Sequence, residues 1–250
     1  MMNQLTATSA RDKLIVALDV ETAREARELF QELREVAGMF KIGSQLFTAA
    51  GPQIVREIIA AGRRVFLDLK FHDIPNTVAA ASVEATRLGV AMLNVHASGG
   101  GNMMRRTAEA VAEVCTKENL AHPILLAVTV LTSDDAATLA ETGTATNIEA
   151  RVGMLAALAH KCGINGVVAS PHEVAAVRAR IPAPEFVIVT PGVRPQNASA
   201  DDQKRIMTPF AAVRAGADYI VIGRAILNAP DPMRAAREIV EEMSRALESF

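Results

Sequence analysis

The chain has 250 residues, 50% of them hydrophobic and 22% charged, with a formal net charge of -2. That length suits one large domain spanning residues 1–250, and the balanced charge leaves no basic surplus for nucleic acid or an anionic membrane. Apolar runs are strand-sized and the opening MMNQLTATSARDK has no apolar core, so neither a membrane span nor a signal peptide is expected.

Beyond that opening, short β-branched runs alternate with helical stretches. Residues 14–18 (LIVAL) are predicted as the first strand and 22–36 as a helix. The apolar positions Ala23, Ala26, Leu29, Phe30, Leu33 and Val36 of that helix recur at three- and four-residue spacing. A second strand is expected over 39–42, then a helix over 45–60 stopped by Gly62. The third strand, 65–70, leads to a helix over 77–88, the fourth, 91–95, to one over 103–115, and the fifth, 124–130, to one over 148–160. Strands six to eight are placed at 167–169, 186–189 and 219–222, with short helices over 171–179 and 209–215 between them. An amphipathic helix over 232–247 closes the chain. Cys115 and Cys162 have no metal-type spacing, which fits a reduced, cytoplasmic compartment.

Eight strand–helix units with near-continuously apolar strands indicate an α/β fold with a parallel sheet covered on both faces. The choice lies between an open doubly wound sheet and a closed (β/α)8 TIM barrel. No G-x-G-x-x-G follows the first strand, and the length is near the ~250 residues usual for the barrel. Asp19, Lys41, Asp68 with Lys70, His96, Thr132, Ser170, 191–194 and Gly223–Arg224 each fall at or just past a predicted strand's C-terminal end. In a barrel those positions converge on one mouth, where barrel enzymes do their chemistry. The barrel is therefore expected.

The densest cluster is FLDLKFHDIPNT at 66–77. Asp68 and Lys70 are two apart and so share a strand face, and Asp73 follows in a turn closed by Pro75. Charges on the inner face of an apolar strand are costly unless paired. With Asp19 and Lys41 they make an alternating set in which each charge favours its neighbour's ionised form. Interleaved lysines oppose a divalent cation, and no His/Cys cluster or Ser/Cys–His nucleophile accompanies the carboxylates, so no metal or cofactor is expected. TPGVRP at 190–195 and IGRAI at 222–226 add glycines and arginines after strands seven and eight, where barrels often bind phosphate. A positioned lysine among carboxylates, beside a phosphate handle, suggests protonation of a carbanion.

FLDLKFHDIPNTV resembles the signature of the orotidine 5'-phosphate decarboxylase family. IVALD, FKIG, NVHASGG, VTVLTS, CGINGVVAS, VTPGVRP and YIVIGRAI resemble its other strand-end motifs in order, over nearly the whole chain. The shorter D-x-K-x-x-D is shared with sugar-phosphate decarboxylases and synthases. The resemblance implies conversion of orotidine 5'-phosphate to UMP without a cofactor, in a homodimer with shared active sites. Lys70 would be the proton donor, Asp68 would lie against the substrate carboxylate, and Lys41 and Asp73 would complete the network. Asp73 and Thr77 would reach in from the neighbouring subunit. Asp19 and Lys41 would hold the ribose, Thr132 the pyrimidine, and Arg194, Gln203, Gly223 and Arg224 the phosphate. Loops 132–146 and 191–203 would close over the site.

His96 and His72 read as supporting rather than catalytic residues, Ser170 as a helix cap and the methionines as core filler. Three functions stay open at this point. They are a cofactor-free decarboxylase of a nucleoside monophosphate, a metal-dependent aldolase or decarboxylase of a sugar phosphate, and a barrel kept as a binding module. Activity in chelator separates the first two, and an intact charge array argues against the third.

Overall fold

The computed structural model describes residues 9–144, 146–195 and 207–248. Eight parallel strands close into a barrel in the order β1 to β8. In sequence they and their helices run α1 (Ala10–Lys13), β1 (Leu14–Ala17), α2 (Ala23–Leu33), β2 (Met39–Gly43), α3 (Ser44–Ala50), α4 (Gln53–Ala60), β3 (Arg64–Phe71) and α5 (Pro75–Arg87). Then come β4 (Met92–His96), α6 (Gly100–Glu118), β5 (Ile124–Val128), α7 (Ala136–Glu141), α8 (Ile148–Lys161), β6 (Gly166–Val168), α9 (Val174–Arg180), β7 (Val187–Thr190), α10 (Pro209–Arg214), β8 (Tyr219–Ile222), α11 (Arg224–Leu227) and α12 (Pro232–Glu248). No helix among the described residues is long and apolar enough to cross a membrane.

The strands are buried on both faces because each alternates between two cores. Leu14 and Val16 of β1 pack outward against the helices with Phe40 and Leu67, whereas Ile15, Met39, Phe66, Met92, Leu126, Val189 and Tyr219 fill the barrel interior. Period-two geometry then dictates what stands above that interior layer. Two residues on from Met39 is Lys41, and two on from Phe66 is Asp68. The floor is thus apolar and the next layer charged. At β6 the strands approach closely, since a Cβ on Gly166 would come 2.1 Å from the Val187 carbonyl oxygen.

The helices start where local chemistry lets them. Thr22 caps α2 by accepting from the Glu25 amide, Thr208 caps α10 from the Ala211 amide, and Pro75 and Pro209 sit in first turns where a missing N–H costs nothing. Three sequence expectations need correction. The helix expected over 45–60 is two, α3 and α4, broken where Gly51 takes φ +64 and Pro52 withholds an amide. The loop 132–146 contains α7, capped by the Asp135 side chain on the Thr138 amide. Ser170 caps nothing: it is fully buried before a 3-10 turn (Pro171–Glu173), and its hydroxyl has no hydrogen-bond partner among the described residues.

Candidate active site

The C-terminal ends of the strands surround a cavity of about 480 Å³. Its walls include Asp19, Lys41, Asp68 and Lys70 from the β1–β3 side, and Thr132, Arg194, Gly223 and Arg224 from the loops after β5, β7 and β8. Residues far apart in sequence meet there because each lies in the C-terminal half of a strand of one closed sheet or just past its end. Gln45 and Ser133, which sequence reasoning missed, also line it.

The charged wall is a chain of alternating signs. Lys41 Nζ lies 2.8 Å from Asp19 Oδ1 and 3.3 Å from Asp68 Oδ2, and Lys70 Nζ lies 2.8 Å from Asp68 Oδ1. Lys41 and Asp68 are buried. Burial opposes the charge on each, yet the opposite charges prevail. Burial alone would push the Asp68 carboxyl up, but the Lys41 and Lys70 ammoniums, with hydrogen bonds from Lys70 and Asn94, hold it below the usual carboxylate range. Burial likewise works against the Lys41 ammonium, and Asp68 and Asp19 raise its pKa above the ordinary lysine value. Gly43 leaves room for this pairing, since a Cβ there would lie 3.1 Å from Lys41 Nζ and 3.2 Å from Asp19 Oδ1.

Lys70 does not simply continue the strand alternation. It takes φ +51, one of two described non-glycine residues at positive φ, and the β3–β4 register shifts between Leu67 and Phe71. Asn94, fully buried on β4, bonds both Lys70 and Asp68. Only NVHASGG as a motif pointed to that residue in the sequence; nothing singled out its side chain.

The structure does not bring Asp73 and Thr77 into the mouth of their own barrel. Asp73 is exposed in the β3–α5 turn, where its carboxylate accepts from the Ile74 amide at 2.6 Å. Thr77 lines a separate surface groove between α5 and α6. The reason is local: after Phe71 the chain turns outward to start α5 at Pro75. His72 follows that turn, and its ring lies 5.4 Å from that of His96 at the end of β4. Burial, then His72 and Lys70, push the His96 pKa down. Neither imidazole lines the cavity.

After β7, the loop is tied down by the Arg194 amide on the Met207 carbonyl (3.0 Å), and Arg194 is buried. Gly192 takes φ +79 in that loop, a conformation that suits glycine. Gly223 precedes α11, and Arg224 opens it. Gln203 lies outside the described residues, as does most of the stretch 191–203. The cavity therefore has one wall of paired, fixed charges and another offering arginines and glycine backbone.

Residues 12–239 match the model of the Orotidine 5'-phosphate decarboxylase / HUMPS family. Among curated relatives, the orotidine 5'-phosphate decarboxylase of Syntrophotalea carbinolica is 54% identical over 239 residues, covering 96% of this chain and 98% of the relative. That of Moorella thermoacetica is 51% identical over 243 residues, covering 97% and 96%. Among solved structures, orotidine 5'-phosphate decarboxylase from Lactobacillus acidophilus superposes with a TM-score of 0.80 at 34% identity, over 92% of this chain and 98% of that one. An uncharacterized conserved protein from Geobacillus kaustophilus gives 0.78 at 35% identity, over 92% and 99%.

Proposed function

This chain belongs to the Orotidine 5'-phosphate decarboxylase / HUMPS family, and from that premise we propose how its cavity converts orotidine 5'-phosphate to UMP and carbon dioxide in pyrimidine biosynthesis. Lys70 is the proton donor. The carbon–carbon bond to the carboxylate breaks heterolytically and carbon dioxide leaves. The electron pair stays in the plane of the ring, where no adjacent group can delocalise it. A proton then passes from the Lys70 ammonium to that carbon, and solvent restores the lysine's proton after product leaves. Cations already fixed by neighbouring carboxylates stabilise such a localised charge without reorganising.

One observation carries this reading: Lys70 Nζ rests 2.8 Å from Asp68 Oδ1 within a cavity that Arg194 and Arg224 also line. Asp68 lies against the substrate carboxylate and Lys41 braces it, while Asp19 and Lys41 hold the ribose hydroxyls and Thr132 the base. Arg194, Gln203, Gly223 and Arg224 take the phosphate, whose binding energy is available to the chemical step because it is remote from the reacting bond. The relatives that are about half identical carry the decarboxylase name, which favours this substrate over a sugar phosphate. No cofactor enters the proposal.

The same reading makes the protein a cytoplasmic homodimer of single-domain barrels (residues 1–250), in which Asp73 and Thr77 complete the partner's site. Support comes from the outward course of the β3–α5 turn and from Ile74, which leaves a large apolar side chain 66% exposed beside Asp73. The test is loss of the orotate absorbance band on mixing the protein with orotidine 5'-phosphate in excess chelator. Full-rate loss is expected, with none for Lys70→Ala despite intact UMP binding. A chelator-sensitive reaction, or wild-type turnover by Lys70→Ala, would overturn the proposal.

A further inference from the structure

A side-chain amide inside a barrel wall is costly unless both its ends are bonded. Asn94 is fully buried on β4, and both ends are bonded across to β3. Its Nδ2 donates to Asp68 Oδ1 at 2.7 Å, and its Oδ1 accepts from the Lys70 backbone N–H at 2.8 Å. These are the two residues on which the decarboxylation rests.

The bonds fall where the sheet itself fails. Leu67 pairs with Leu93, but the next pair is Phe71 with Val95, so four steps along β3 stand against two along β4. Extra residues in one strand lose their ladder partners and bend it. In this gap Lys70 takes φ +51, a conformation a lysine keeps only when its surroundings hold it there. The Asn94 carbonyl stands in for the missing ladder acceptor.

We infer that Asn94 is a positioning residue for the reaction: its amide oxygen holds the left-handed turn that lays the Lys70 ammonium on Asp68, and its amide nitrogen fixes the Asp68 carboxylate between the two lysines. The inference rests on Lys70 being the proton donor. Asparagine is the side chain of this length that accepts at one atom and donates at the other. Aspartate has no donor for a second carboxylate, and leucine fills the space with neither function. The Asn94 bond also helps keep Asp68 ionised. The charged groups facing that carboxylate are Lys41 from β2 and Lys70 from its own strand, with Asp19 beyond Lys41 and His96 at the end of β4.

The experiment compares Asn94→Leu, Asn94→Asp and Lys70→Ala with the native enzyme in kcat, KM, UMP affinity and pH profile. Both Asn94 variants should bind UMP almost as well as the native enzyme and leave KM little changed. Their kcat should fall by about a hundredfold or more, as expected when a reacting group moves by roughly 1 Å. Asn94→Asp should also shift the acid limb of kcat/KM to higher pH, because a second carboxylate replaces a donor beside Asp68. A merely structural asparagine would lower the melting temperature and leave kcat and the pH limb of the folded enzyme alone, and that result overturns the inference. Inactive Lys70→Ala beside fully active Asn94 variants sinks this inference and spares the proton-donor reading. Turnover by Lys70→Ala sinks both. If neither Asn94 variant folds, hydrogen exchange in the native enzyme decides. The Lys70 amide should be protected like a strand amide, and exchange at the rate of an open turn overturns the inference.

Discussion

At the scale of single residues, the site is governed by a contest between burial and charge, and Asp68 shows which side prevails. A buried carboxylate would ordinarily protonate, yet two ammoniums and an asparagine hold Asp68 ionised and its pKa below the ordinary value. Its folded pKa being lower than its unfolded one, near 3.9, the stabilisation it supplies is present above about pH 4 and lost as pH falls through the folded pKa. Asp68→Asn mimics the protonated acid. The stability difference between native protein and Asp68→Asn, from urea titrations at several pH values, should therefore be constant near neutrality and shrink below about pH 4. A pH-independent difference would mean that Asp68 gains nothing from its charge. Lys41 is the mirror case: its raised pKa gives a contribution present below about pH 10 and lost as pH rises further.

Among elements, what matters is how strand ends and helix starts divide the labour. The β1–β3 ends carry paired charge, whereas the β7 and β8 ends carry glycine and arginine. In the function proposed above, that division separates the reacting end of a nucleotide from its phosphate. Arg224→Ala should consequently weaken UMP and leave uridine almost unaffected. A charge-assisted hydrogen bond is worth roughly 1.5–3 kcal/mol, so UMP should lose about one to two orders of magnitude in affinity by isothermal titration. Equal losses for nucleotide and nucleoside would make Arg224 a structural residue of α11.

For the whole molecule, the question is whether one barrel suffices. Asp73 and Thr77 stand outside their own cavity, so the proposed dimer makes a sharp prediction. Asp73→Asn and Lys70→Ala chains should each be nearly inactive alone. Dissociated, mixed and reassociated, they form heterodimers with one site assembled wholly from intact residues and one carrying both substitutions. Random assortment makes half the dimers mixed, so activity should recover to roughly a quarter of the native value for two independent sites related by a two-fold axis. No recovery, in a mixture whose heterodimers are confirmed by native mass spectrometry, would assign Asp73 to its own chain.

Much of this was legible in the sequence because its signals are periodic and local. Alternating strand and helix patterns fixed eight units, and a strand's two-residue period raised Lys41 above Met39 and Asp68 above Phe66 without reference to any partner. Strand-end placement then gathered Asp19, Lys41, Asp68, Lys70, Thr132, Arg194, Gly223 and Arg224 at one mouth. Helix periodicity could not see the break at Gly51-Pro52, since the apolar face of α3 resumes in α4 across the turn. Nor could strand periodicity foresee Lys70, whose left-handed backbone depends on a ladder interrupted between β3 and β4 and on an asparagine 24 positions away. The residue types and their order were set by the chain alone. Asp73 is turned away locally, by the bend that starts α5 at Pro75, but which of the others touch was decided by barrel closure, because only closure sets the register between neighbouring strands and thereby the direction in which each strand end points.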